Sequence, residues 1–451
     1  MMWRWIRIGA PAACVAALAG SGRIAAAQDL TLHQAIQAAI AHSPELRAQE
    51  QEVEKASDQR MSALGQMGPK LGVSGKVLRW DAPTEMSLGI EIPPAITQQL
   101  GLNFPSTMHV MDQTTGDLSF SATQPLTPLY SLYSLYRLQG DNERAARAAR
   151  DAKAQALAYR VAEAFFGILK LNKALETAHA ARAQVEAHWK TAQAFFAQGY
   201  VQRDDVLRAE VALAKVEDAQ RQVETALAVT RGALNLLVGR AMDEPTVPAG
   251  DFPDPPEPFT MSLAEALDRA FAKRPELVEM QHRIEMARAA RHAAIGAMLP
   301  AIAATFNWSR QWGNEFQRKT SYFLGGVLQW NFWEWGAQFY QVRAAERDLA
   351  RAEEGLRGLR DLVTLEVQRA YLEMQMKRDS IETARKAILQ AEESFRIATR
   401  KYEQRVATSM EVLDAESALT GAKNTYYDAL YSYYLALENL RRSIGEREVA
   451  R

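Results

Sequence analysis

Cysteine is almost absent: of 451 residues only Cys14 is one. It falls in an N-terminal stretch that reads as an export signal, so the exported chain would carry no thiol, no disulfide and no cysteine metal site. Long hydrophobic runs are missing as well. Past that stretch nothing reaches the roughly 18 consecutive apolar residues of a membrane-crossing helix, so any entry into a membrane is not by α-helix. A surplus of one charge is also lacking. With 53 Lys and Arg against 54 Asp and Glu, the chain offers nucleic acid no basic surface, and none is expected as a partner. No G-x-G-x-x-G, phosphate-loop lysine, H-E-x-x-H or G-x-S-x-G occurs, so neither an enzyme nor a cofactor is expected. The seven histidines never fall at helical i,i+3 or i,i+4 spacing, so they read as ordinary helix-surface residues with no local metal pair.

What is present begins with that signal. Arg4 and Arg7 supply the positive region, Ile8 to Leu18 the apolar stretch, and Ala25 to Ala27 the small-residue cleavage site, giving an expected signal peptide over 1–27. No cysteine follows the cleavage site to carry a lipid. The remainder, 48% apolar and 24% charged over the whole chain, is ordinary for a protein with a large core.

The chain then repeats itself. Leu32-His33-Gln34-Ala35-Ile36, Pro44-Glu45-Leu46 and Met67-Gly68-Pro69 recur 231 residues later as Leu263-Ala264-Glu265-Ala266-Leu267, Pro275-Glu276-Leu277 and Met298-Leu299-Pro300. Asp205-Val206-Leu207-Arg208-Ala209-Glu210 recurs 206 residues later as Glu411-Val412-Leu413-Asp414-Ala415-Glu416. This spacing predicts a tandem duplication, with a first repeat over 28–244, an extended proline-rich linker over 245–258 and a second repeat over 259–451. Capping boxes at Thr31-x-x-Gln34 and Ser262-x-x-Glu265 predict a helix start in each half. Pro44 and Pro275 restart those helices at a first position, where a missing N–H is harmless.

Alternating stretches follow in both halves. Leu71, Val73 and Val77, then Leu118, Phe120 and Ala122, predict one hairpin over about 70–125, and Ile302 to Trp308 with Tyr322 to Phe332 predict another over about 300–333. The rest is helix of unusual length. From Ala337 to Arg400 no proline occurs, enough for a rod of about 95 Å. Apolar residues step by 3 and 4 through Val342 to Val363, Val206 to Leu237 and Val412 to Leu440, which is the repeat of a coiled-coil seam.

Trp308, Trp312, Trp330, Trp333 and Trp335 crowd around the second hairpin as a membrane β-barrel's interfacial aromatics do. Four strands close no barrel, so strands must be pooled between two, three or four chains.

The doubled order of short helix, Pro-Glu-Leu, helix, hairpin and long helices, with [DE]-V-L-x-A-E in both halves, resembles the TolC-like outer membrane efflux protein family. The resemblance implies a mainly α fold with a small β part. Tandem-duplicated coiled helices would form an α-helical barrel in the periplasm, and four strands per chain would enter a trimeric 12-stranded barrel in the Gram-negative outer membrane. It implies a homotrimer working with a periplasmic adaptor and an inner-membrane pump of RND, ABC or MFS type, as a passive exit duct for efflux or type I secretion. Glu411 and Asp414, with Asp205 as the first-half counterpart, would line the periplasmic constriction. The helical tips at Gly199-Tyr200-Val201 and Arg405-Val406-Ala407 would dock the adaptor. Two positions depart from the family: its tight-turn glycine, kept as Gly199, is Arg405 in the second half, and a basic residue just inside that turn is Ala407. The alternative is a periplasmic coiled-coil scaffold that forms no pore.

Overall fold

The computed structural model describes residues 29–87, 89, 107–254 and 259–446. The expected signal, most of the loop between Trp80 and Gln113 and the end of the linker lie outside the described residues. In chain order the elements are β1 (Asp29–Leu30), α1 (Leu32–His42), α2 (Pro44–Gly65), β2 (Lys70–Arg79), β3 (Thr84–Ser87), β4 (Thr107–Pro125), α3 (Leu129–Ala197) and α4 (Arg203–Val238). There follow β5 (Val247–Pro248), α5 (Leu263–Lys273), α6 (Pro275–Ala297), β6 (Ala301–Asn314), β7 (Thr320–Gln329), α7 (Ala337–Glu403) and α8 (Ser409–Ser443).

The helix starts obey local chemistry. Thr31 and Gln34 satisfy each other's backbone N–H in a complete capping box. At Ser262 only half the box forms: its hydroxyl accepts from the Glu265 N–H at 3.2 Å, while the Glu265 carboxylate takes Arg269 at 2.8 Å. Pro44 and Pro275 open α2 and α6, each after an extended residue as a following proline demands.

The coiled-coil seams are where the 3–4 spacing puts them. None of the seam residues from Val342 to Val363, Val206 to Leu237 or Val412 to Leu440 is exposed. Packing runs α4 on α3, α3 on α8 and α8 on α7, with α2 and α6 also packed on α3 and α6 on α7, a layer with α4 and α7 at its margins. Both margins carry apolar side chains that nothing covers: Leu207, Val211, Val229 and Leu236 on α4, and Leu362, Leu365, Leu372, Met376 and Leu389 on α7. Among the described residues no helix is long and apolar enough to cross a membrane.

The sheet is antiparallel, in the order β2-β4-β6-β7. Two features go beyond the four strands that alternation predicts. β3 pairs with the outer end of β4, and β1 forms a two-residue parallel ladder with β5. Thr-Glu-Met-Ser in β3 has no apolar alternation, and a two-residue ladder is too short to leave a pattern. β7 also stops at Gln329, short of the expected Phe332, where Trp330 turns its indole N–H to the Met298 carbonyl at 3.3 Å.

Residues 245–254 wrap the middle of the helical layer. Fully buried Asn235 donates to the Glu244 carbonyl at 2.8 Å and accepts from the Thr246 hydroxyl at 2.6 Å. Phe252 packs against both Phe166 and Tyr434, with ring centroids 6.1 and 5.7 Å away, and those two rings also meet each other at 5.5 Å. Asp254 accepts from Tyr426 and pairs with Arg385. These bonds tie the segment to α3, α7 and α8. Phe252→Ala should cost about 3 kcal/mol, the usual figure for emptying a buried aromatic site; thermal unfolding, together with faster proteolysis between Val247 and Asp254, is the check.

Candidate functional sites: an amphipathic sheet and a latched helical tip

Register assigns every strand residue to one of two faces. On one face Leu71, Ala122, Phe306 and Leu324 lie in a row, and Val73, Phe120, Trp308 and Tyr322 in the next. On the other lie Ser74 beside Ser119, Ser121 beside Asn307, and Ser309 beside Ser321. Hydroxyl contacts of 2.6 Å between Ser74 and Ser119, and 2.9 Å between Ser309 and Ser321, run along this polar face. The apolar face is open: Val73 is 73% and Leu324 79% exposed. One face thus suits hydrocarbon and the other water.

The five tryptophans separate into two groups along the strands. Trp308 and Trp312 project from the apolar face of β6. The Trp312 ring lies where a side chain at Gly116 would be, within 2.0 Å of an imagined Cβ, so glycine is required opposite it. Trp330, Trp333 and Trp335 lie past the end of β7, and Trp333 meets Trp335 edge to face at 5.7 Å. From Ile302 to Trp312 the strand travels about 34 Å, and a tilt of about 40° makes that a band roughly 25 Å tall.

At the opposite end, each long-helix pair turns. Gly199 has φ +79°, the left-handed value for which glycine is suited. The equivalent Arg405 takes the same left-handed turn, with φ +64°. It does so with compensation: its guanidinium sits 3.6 Å from the Tyr200 ring centroid and 5.8 Å from that of Phe195. Left-handed strain of about 1 kcal/mol for a residue with a Cβ is offset by a cation–π contact of similar size. The stack therefore joins the two turns.

Behind it lies a buried cluster that sequence reasoning missed. His188 is 8% exposed, contrary to the surface role expected for every histidine, because α8 docks its first turn on this part of α3. Its Nε2 is 2.8 Å from the Ser409 hydroxyl, and its ring is 4.7 Å from that of Tyr402. Burial pushes the His188 pKa down to about 4. Tyr402 is buried with a hydroxyl that finds no hydrogen-bond partner among the described residues, and its pKa is raised by burial and then by the charge of Asp205. No local pattern signalled this cluster, because Ser409 lies 221 residues from His188 in the sequence.

The expected constriction residues are placed as follows. Glu411 is exposed and completes a capping box at the start of α8, accepting from the Thr408 N–H at 3.2 Å. Asp414, one turn on, is exposed on a ridge between two grooves. Lys401 and Glu393 line the groove toward α7, and Arg208, Lys215 and the buried Glu416 the one toward α4. Asp205 is half-buried near Tyr402 and is not brought together with the other two acids on that ridge. Of the tip residues, Tyr200 and Val406 are exposed at 52% and 74%, while Val201 and Ala407 are half-buried.

A family model described as outer membrane efflux protein matches residues 35–240 and 266–446. The chain belongs to the outer membrane efflux protein family. Among solved structures, this family member is similar to the outer membrane protein VceC of Vibrio cholerae, at TM-score 0.75 and 18% identity over 92% of this chain and 96% of that one. The open-state MtrE outer membrane channel of Neisseria gonorrhoeae matches at TM-score 0.73 and 18% identity, over 92% and 89% of the two chains. Protein CyaE of Bordetella pertussis is 27% identical over 216 residues, 46% of this chain and 44% of that relative, so the match spans less than half of either. The fold of this efflux-family chain is thus that of outer membrane channels that reach into the periplasm.

Two variants test the tip. Arg405→Gly should leave stability within about 1 kcal/mol of wild type, since strain and stacking leave together, whereas Arg405→Ala keeps the strain and should be about 1 kcal/mol less stable than the glycine variant. For His188 the folded state disfavours the proton that the unfolded state accepts. Stability should therefore fall as pH drops from 6.5 toward about 4, and thermal unfolding of His188→Gln should lose that part of the dependence.

Proposed function

We propose that this chain is one third of an outer membrane exit duct that carries a solute from an inner-membrane pump across the periplasm and out of the cell. The two-faced sheet with unpaired outer strands carries this reading. In hydrocarbon every backbone N–H and C=O needs a protein partner, so β2 and β7 must pair with other copies. Three copies supply the twelve strands that the family resemblance implies. The bare apolar margins of α4 and α7 fit the same closure one level down, margin against margin. A periplasmic scaffold that forms no pore would have no use for a sheet face this apolar.

The duct does no chemistry. Its strands line the lumen with serine, threonine and asparagine, so a solute crosses without entering lipid. Tryptophans at both ends of the apolar band would sit at headgroup level. Glu411 and Asp414, six carboxylates in a trimer, would surround the periplasmic entrance and favour cations, with Asp205 acting from the wall through Tyr402. The latch of Arg405 on Tyr200 would hold the second helical hairpin against the first, so that opening requires breaking it. The adaptor would dock on the exposed Tyr200 and Val406 beside that latch, together with Gly199, Val201, Arg405 and Ala407.

Planar-bilayer recording tests both parts. Purified protein should give discrete conductance steps, and Glu411→Ala with Asp414→Ala should reduce cation selectivity and block by multivalent cations. Arg405→Gly with Tyr200→Ala should raise the open fraction. Silence from wild type and from these opened variants would contradict the duct, and unchanged selectivity would take the two acids out of the constriction.

A further inference from the structure

On the apolar face, register sets out the rows in order of height. Above Leu71–Ala122–Phe306–Leu324 and Val73–Phe120–Trp308–Tyr322 comes the row Gly75–Leu118–Arg310–Thr320, then Val77–Gly116–Trp312, then Arg79 beside Thr114. Two arginines therefore stand on this face above its apolar rows, each beside a threonine, both at the hairpin end and away from the helices. Both are exposed, and neither makes an ion pair among the described residues. Arg310 is flanked along its strand by Trp308 and Trp312, and the Trp312 ring is laid sideways over Gly116, which holds one wall of the site in place. Gly75 places no side chain in the arginine's row, and Leu118 supplies an apolar floor. Lys319, 75% exposed and 3.9 Å from the Glu315 carboxylate, stands at the same end, where its carbonyl accepts from the Gln311 N–H.

An unpaired guanidinium on a lipid-facing strand is costly in hydrocarbon and is tolerated at the headgroup level, where an anion can meet it. A fork of N–H donors with an indole two residues away on either side of its strand matches a phosphate whose attached sugar or acyl chains lie along the aromatic rings. We propose that Arg310, with Arg79 and the indoles of Trp308 and Trp312, binds a phosphate group of a phosphorylated glycolipid in the outer leaflet. The site would fix the rotation and height of the barrel in the membrane. This inference rests on the outer membrane reading above.

The test uses full-length protein purified in detergent, with bisphosphoryl lipid A, dephosphorylated lipid A, phosphatidylcholine and inorganic phosphate as separate probes, read by native mass spectrometry of the oligomer. Wild type should bind bisphosphoryl lipid A and lose most of that binding when the lipid lacks phosphate. Arg310→Gln should weaken binding by about fivefold, the worth of one basic residue at a charged lipid surface, with a similar further loss on adding Arg79→Gln. Arg310→Lys should fall between Arg310→Gln and wild type, and both single variants should keep the oligomer and its conductance. Equal binding by wild type and Arg310→Gln, or equal binding of dephosphorylated lipid, would overturn the site while leaving the duct intact. So would binding of inorganic phosphate or phosphatidylcholine that matches the glycolipid. Loss of bilayer conductance in wild type would instead count against the duct.

Discussion

A strand in hydrocarbon can leave no backbone amide unpaired, and that single demand organises this molecule. The sheet has one apolar face and two open edges, so it is stable in a membrane only when β2 and β7 find partners outside the chain. The helical layer has the corresponding incompleteness in water. Leu207 and Val211 on α4, and Leu365 and Leu389 on α7, are bare at its margins. A layer with apolar stripes on both margins can bury one stripe against the other on a further copy of itself. Packing and pairing thus point to closed association at both levels, and a polar-lined passage follows from closure.

The two ends of the long helices face different problems. Near the sheet, the glycine at position 116 makes way for a tryptophan, which trades backbone freedom for a fixed ring on the apolar face. At the far end a turn needs left-handed backbone twice, and the chain meets that need once with Gly199 and once with Arg405. The second solution costs strain but gains a contact across to Tyr200, so the turn that is locally worse is also the one that ties the two hairpins together. Buried His188 beneath it adds a group that tolerates neutral surroundings and resists protonation. The tip is therefore held by packing and cation–π contact more than by a network of ion pairs.

Much of this was legible in the residues. The 3–4 steps from Val412 to Leu440 mark a seam because side chains four and three apart share a helix face, whatever packs on it. Thr31 with Gln34, Pro44 and Pro275 mark helix starts because capping and the missing proline N–H act within one turn. Alternation from Leu71 to Val77 and from Ile302 to Trp308 marks strands for the same local reason. What was not legible depends on partners distant in sequence. His188 reads as a surface residue until Ser409, 221 residues later, is placed against it. Ser262 and Glu265 look like a full capping box until Arg269 competes for the carboxylate. Arg405 looks like the loss of a needed glycine until Tyr200 is brought under its guanidinium. β3 is too polar, and β1 with β5 too short, for any pattern to register. Glu411, expected as a constriction acid, is a helix cap, a use already written in the Thr408-x-x-Glu411 spacing that also marks Thr31 and Gln34.

The near-absence of cysteine makes the central claim directly measurable. A cysteine replacing Val73 on β2, combined in turn with cysteines from Tyr322 to Leu328 on β7, reports whether these edges meet between copies in the membrane. Three-fold closure predicts that at one register the oxidised protein forms covalent dimers and trimers, with the trimer as the largest species and all of them reversed by reductant. Absence of cross-linking at every register, or a ladder that stops at two or climbs past three, would contradict the account.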